Sequence, residues 1–117
     1  MEIKTEEYSI TYDVATATVT CQGSLFLSPE EYEPILQLLT KAAEDKKWSK
    51  TFTMDIRELQ FLNSSGINTL IKFLTYVSET ESLKFQLVIQ GQKNNLFHDK
   101  LLRNFKCMIP TLGVQLT

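Results

Sequence analysis

Asp55-Ile-Arg-Glu-Leu-Gln-Phe-Leu-Asn63-Ser64-Ser65-Gly66-Ile67-Asn-Thr-Leu70 is the stretch on which the fold turns. Before it, Phe52, Met54 and Ile56 alternate with Thr51, Thr53 and Asp55, the period of a strand. After it, Ile67, Leu70, Ile71, Leu74 and Val77 recur at helical spacing and make one apolar stripe. Two hydroxyls, an amide and a glycine lie between. The stretch therefore reads as a buried strand, a short loop, and a helix whose first turn carries Ser64 and Ser65. Free N–H groups and the helix dipole favour negative charge at that end. A serine placed there can cap the helix or carry a phosphate.

Working outward, Tyr8, Ile10 and Tyr12 alternate with polar residues, and Ala15, Ala17, Val19 and Cys21 alternate with threonines. These are two strands of a hairpin joined near Asp13, the second ended by Gly23. Ser28-Pro29-Glu30-Glu31 has the form of a capping box with proline at the first helical position. Pro34 either kinks this helix or begins the main helix after a separate turn. Its stripe is Ile35, Leu38, Leu39 and Ala42, with Tyr32 as a possible addition, and Glu44-Asp45-Lys46-Lys47 closes it as a solvated charge run. Beyond the motif helix, Ser78 to Ser82 is a polar connection. Phe85, Leu87, Val88 and Ile89 read as a strand covered on both faces, ended by Gly91. Asn94 or Asn95 caps a third helix with Phe97, Leu101, Leu102 and Phe105 inward, and Val114 to Leu116 can add a last strand. The order ββαβαβαβ predicts an α/β fold: a mixed sheet opened by an antiparallel hairpin, with helices packed on it. Ligand and partner sites in such sheets lie where strands end and helices begin, and Asn63-Ser64-Ser65-Gly66 sits at such a junction.

With 117 residues, 43% hydrophobic and 22% charged, the chain suits one globular domain over residues 1–117. A net charge of -2 with 12 scattered basic residues gives no footprint for nucleic acid. No apolar run is long enough to span a bilayer, and the acidic N-terminus is unlike a signal peptide. Cys21 and Cys107 form no Cys-x-x-Cys pair and read as small core residues in a reducing cytoplasm. His98, beside Asp99, reads as an exposed surface histidine with no metal-spaced companion. Ser65 has no evident base, no Gly-rich phosphate loop is present, and Asp55 with Glu58 reads as surface, so neither catalysis nor a cofactor is expected.

The central segment resembles the signature of STAS domains, named for sulfate transporters and anti-sigma-factor antagonists. That signature is an apolar strand with a near-terminal Asp, an apolar pair, then Asp-Ser-Ser-Gly entering a helix. The element order agrees along essentially the whole chain. The resemblance implies a non-enzymatic protein that works by partner switching. Its partners would be an anti-sigma-factor-like serine kinase and a PP2C-type phosphatase, and its phosphorylated residue the serine before the glycine, Ser65, with Ser64 as the alternative. It also implies a partner-binding surface at Asn63, Ser64, Ser65 and Gly66, with Asn68, Thr69 and Lys72 on the exposed part of the same helix. The chain departs from the signature at Asn63, where the acidic residue is missing. An alternative role is an unphosphorylated scaffold or a subunit of a larger signalling or transport assembly. Thr69, Phe73 and Tyr76 form a second ridge on the motif helix. Phe73 is expected to pack under a neighbouring helix.

Overall fold

Alternating apolar residues produce the strands of this protein, and the 3.6-residue stripes produce its helices. The computed structural model describes residues 1–45, 50–80, 83 and 85–117. In chain order the elements are β1 (Glu2–Lys4), β2 (Tyr8–Asp13), β3 (Thr18–Leu25), a 3-10 turn (Glu30–Tyr32), α1 (Glu33–Asp45), β4 (Thr51–Asp55), β5 (Leu59–Leu62), α2 (Ser64–Glu79), β6 (Gln86–Gly91), α3 (Leu96–Met108) and β7 (Gly113–Leu116). The strands form one mixed sheet in the order β1-β2-β3-β4-β6-β7. β1, β2 and β3 are antiparallel, and the later pairings are all parallel. β3 pairs β4 through Thr18–Thr20 and β5 through Gly23–Leu25, so β5 takes over the edge that β4 leaves.

The expected α/β order is present, with two strands added. β1 pairs β2 at the sheet edge, and β5 occupies the segment between the central strand and the motif. Both are short and lack a long alternating pattern, which is why their partners rather than their own residues define them. The hairpin turn spans Val14–Ala17 instead of lying at Asp13 alone. Asp13 acts within it, its Oδ1 accepting from the Ala15 N–H at 3.0 Å. Ala17 has φ of 49°, and its carbonyl accepts from the Thr53 N–H at 3.0 Å.

Gly23 does not end its strand. β3 continues to Leu25, with a register shift between Gly23 and Ser24 that the glycine's φ of 90° makes possible. β6 is covered on both faces only at its centre, where Leu87, Val88 and Ile89 are all buried. The crossovers from β3 to β4, β6 and β7 all step the same way, and right-handed connections then put every helix on one face. Leu87 and Ile89 are buried on one face, and on the other Val88 is buried between the exposed Gln86 and the half-buried Gln90. There Gln90 registers with Asp55 and Gln115 in a polar row.

Ser28 and Glu31 form the expected capping box. The Ser28 N–H donates to Glu31 Oε1 at 3.0 Å and the Glu31 N–H to Ser28 Oγ at 3.4 Å. That box opens the separate 3-10 turn, and Pro34 falls in the first turn of α1, where its missing N–H costs no helix bond. Lys46 and Lys47 of the charge run, and Glu81 and Ser82 of the polar connection, lie outside the described residues.

The core lies between the sheet and the helices. Phe52 of β4 is fully buried, with ring centroids 6.0 Å from Phe73, 6.2 Å from Tyr12 and 5.6 Å from Phe85. The α2 stripe is turned relative to expectation. Gly66, Thr69 and Phe73 join Leu70, Leu74 and Val77 inside, while Ile67 and Ile71 are half-buried. Phe73 is thus buried as expected, with its ring against Phe52 of the sheet, and Tyr76 donates from its hydroxyl to Glu44 Oε2 at 2.6 Å. The Tyr12 hydroxyl is buried with no hydrogen-bond partner among the described residues. Tyr12→Phe should therefore preserve stability or raise it by up to about 1 kcal/mol, because the phenol oxygen is desolvated without compensation. A urea midpoint below wild type would contradict this.

Two polar residues exchange places with their expected surroundings. His98 is 0% exposed, because positions 98, 101, 102 and 105 share one helix stripe with Leu101, Leu102 and Phe105. Cys107 falls off that stripe and is exposed, whereas Cys21 is buried. Burial, with a smaller contribution from Asp55, pushes the Cys21 thiol up to about 12, so it is an inert core residue.

Candidate functional site

β5 leads directly into the motif. Asn63 caps α2 with extended backbone (φ -75°, ψ 176°), and its Oδ1 accepts from the Gly66 N–H at 3.0 Å. The same oxygen accepts from the Tyr32 hydroxyl at 2.5 Å, and Nδ2 donates to the Leu27 carbonyl at 2.9 Å. Burial pushes the Tyr32 phenol above its ordinary value, so it remains an O–H donor. The cap therefore joins three segments: the helix start, the 3-10 turn and the loop after β3. It also gives the departure at Asn63 a structural reason. An aspartate could keep the Gly66 bond but would set a carboxylate oxygen against the Leu27 carbonyl. Asn63→Asp should cost about 2 kcal/mol at neutral pH, from a lost bond and a partly buried oxygen pair. Part of that loss should return below about pH 4, where a protonated carboxyl can donate to Leu27. Chemical denaturation at the two pH values checks both halves.

Ser64 is exposed and Ser65 half-buried. Neither hydroxyl has a hydrogen-bond partner among the described residues, and α2 has no acidic residue in its first turn. Asn68 and Lys72 follow Ser64 at four-residue intervals on the same exposed stripe. Thr69 and Gly66 do not belong to it. Thr69 is 8% exposed and donates to the Ser65 carbonyl at 2.8 Å, so it lies inside, contrary to the expectation of an exposed position. Gly66 is buried; a Cβ there would collide with the Leu62 side chain and come within 2.6 Å of the Tyr32 hydroxyl. Its missing side chain serves close packing of the helix start.

Sequence reading missed a group of aromatic residues that includes Phe61 on the strand leading into the motif. Phe26 and Phe61 stack with centroids 4.5 Å apart, and Phe61 lies 6.2 Å from Phe97. Phe26 is 68% exposed, Phe61 40% and neighbouring Leu96 79%. The signal was the apolar pairs themselves. Neighbouring residues on a strand point to opposite sides, so Phe61-Leu62 and Leu25-Phe26 cannot both send two side chains inward. Leu25 and Leu62 are buried, and the phenylalanines turn out.

Asp55, at the end of β4, pairs with Arg57 at 2.9 Å. Burial opposes ionisation of its carboxyl. The Arg57 guanidinium and backbone N–H together outweigh that, and hold it below the usual carboxylate range. His98 has both ring nitrogens engaged, with the Leu59 carbonyl and the Gln92 N–H, and so is occupied within the fold rather than free to act as a base for Ser65. Among the described residues no group of three metal-ligating side chains forms, and no helix is long and apolar enough to cross a membrane.

The sequence matches no family model and no curated protein. Solved structures do match. A chain of the complex between the diguanylate cyclase SiaD and its activator SiaC from Pseudomonas aeruginosa aligns with a TM-score of 0.73 and 15% identity, over 100% of this chain and 99% of that one. The fold is that of SiaC. The structure of SiaC from the same organism gives a TM-score of 0.73 at 14% identity, over 98% of this chain and 93% of that one. Apo-SiaC gives 0.69 at 13% identity, over 98% of both chains. The shared architecture is the antiparallel opening followed by parallel strands and three helices.

Proposed function

We propose that this chain is a non-enzymatic, cytoplasmic signalling protein that regulates a protein partner by docking through the start of α2, and that a phosphate on one of the two motif serines switches the docking. The observation that carries this reading is the pairing of two serine hydroxyls, unbonded among the described residues, at a helix N-terminus with an exposed aromatic stack on the strand that leads into it. The aromatic rings supply an apolar anchor of the kind that dominates binding energy, and the serines supply a place for charge at its rim. Asn63, Ser64, Ser65, Asn68 and Lys72 make up the polar part of the face; Gly66 and Thr69 support it from inside.

The STAS resemblance supplies a kinase and a PP2C-type phosphatase as the modifying partners. The SiaC fold adds support for a regulated protein target, since SiaC is the activator of an enzyme. The target on this reading is an anti-sigma-factor-like kinase or a signalling enzyme.

A second reading is the unphosphorylated scaffold. It is favoured by Asn63, whose amide oxygen and nitrogen both bond within the fold and leave no carboxylate beside the serines. Intact mass of the protein from its native cells, with site mapping and Ser64→Ala and Ser65→Ala controls, separates the two. A phosphate that maps to either serine and disappears with its alanine variant is the expected result. An unmodified protein under every growth condition would favour the scaffold.

A further inference from the structure

β5 has a strand neighbour on one side, β3, and among the described residues no strand lies along its other edge. Side chains from the first turn of α3 and from the segment just before it meet this part of the chain instead. His98 Nε2 donates to the Leu59 carbonyl at 2.7 Å, and Nδ1 accepts from the Gln92 N–H at 3.0 Å. The two partners together set the tautomer, with the proton on Nε2. Gln92 Nε2 in turn donates to the Arg57 carbonyl, and the Ile56 N–H donates to the Gln90 carbonyl at 2.9 Å. His98 is fully buried, so losing either ring bond leaves a polar group without water to replace its partner. The adjacent Phe97 lies against Phe61 of β5, and two residues further on β5 delivers Asn63 to the helix cap.

We propose that His98 and Gln92 form a seam that couples α3 to the serine loop through β5. The Phe61–Phe97 contact and the Asn63–Ser64 corner are then presented as one rigid surface. His98 is a positioning residue in this arrangement, acting through the Leu59 carbonyl. The use of that surface rests on the docking role proposed above; the seam itself rests on the bonds just described.

Two substitutions separate the bonds. His98→Asn ends near Nδ1 and keeps the Gln92 bond while releasing Leu59. His98→Gln reaches towards Nε2 and keeps the Leu59 bond while releasing Gln92. Amide exchange is read at Asn63, which donates to the Leu25 carbonyl, and at Thr53 of β4 as a reference. In His98→Asn the Asn63 amide should exchange about fivefold faster than wild type, the equivalent of one net hydrogen bond, with Thr53 unchanged. In His98→Gln it should stay at the wild-type rate. Equal acceleration in both variants, or acceleration of Thr53 to the same degree, would overturn the proposal and leave His98 as packing alone. Should neither variant fold, Gln92→Ala carries the test at an exposed position. Faster exchange confined to β5 and Asn63 supports the seam, and an unchanged rate there overturns it. No partner is needed for this readout, so a failed docking experiment and a failed seam give different results.

Discussion

Gly23→Ala should lower stability by about 4 kcal/mol, from backbone strain and overpacking together. At φ of 90° an alanine is strained before any contact is considered. Its Cβ would also drive into the Glu7 carbonyl and lie 2.9 Å from the Tyr8 Cα, both backbone atoms that cannot rotate away. Relief requires β2 to move. The chain is held here just before β2, since the Ser24 N–H donates to the Glu7 carbonyl at 3.0 Å. On its other side the Gly23 N–H donates to the Glu58 carbonyl at 3.0 Å, so any shift is passed to β5 and the motif. For a chain of this size the loss should lower the melting temperature by about 15 °C. Thermal unfolding measures it, and a shift of about 3 °C or less would show that the close approach is readily relaxed.

A phosphate on the motif serine should weaken docking of the protein partner about a hundredfold, or roughly 2.7 kcal/mol. The added charge is about −1.5 to −2, with three acceptor oxygens. In the free protein this charge is tolerable, because it sits at a helix N-terminus with unused N–H groups and no acidic neighbour in the first turn. A partner docked on both the Phe26–Phe61 stack and the serine corner would have to desolvate the charge. The effect should therefore appear in affinity and not in folding: titration of modified and unmodified protein against the partner should separate them, while their melting temperatures agree within about 3 °C. Equal affinities would remove the switch. Ser64 is the more accessible hydroxyl and Ser65 the one that the STAS resemblance singles out. Binding by the two alanine variants after kinase treatment distinguishes them.

The main elements of the fold are legible in the sequence because the patterns that encode them are local. Ser28 with Glu31, Asn63 at a helix start, Asn95 before α3, and the stripes of α1 and α3 each occupy a few adjacent residues. β1 and β5 are not legible in that way. At 3 and 4 residues they carry too little pattern of their own, and exist because β2 and β3 offer them an edge. His98 was legible in part: its position on the α3 stripe signals burial, but its polarity argues for solvent. The contradiction is resolved by the Leu59 carbonyl and the Gln92 N–H, which approach from elsewhere in the chain.

The candidate site divides in the same way. Strand period, helix period and capping chemistry are enough to place Asn63, Ser64 and Ser65 at a strand-to-helix corner, since each depends on neighbours within about one turn. They cannot say which side of α2 faces the sheet to within one residue, and so Thr69 reads as exposed when it is buried. Nor can they bring together Phe26, Phe61 and Phe97, which come from three separate segments and meet because β5 pairs β3 and α3 packs beside it. The choice of Asn63 over an aspartate is settled by the Leu27 carbonyl, 36 residues away along the chain. Contacts at that separation depend on the whole chain being folded, and no local period records them.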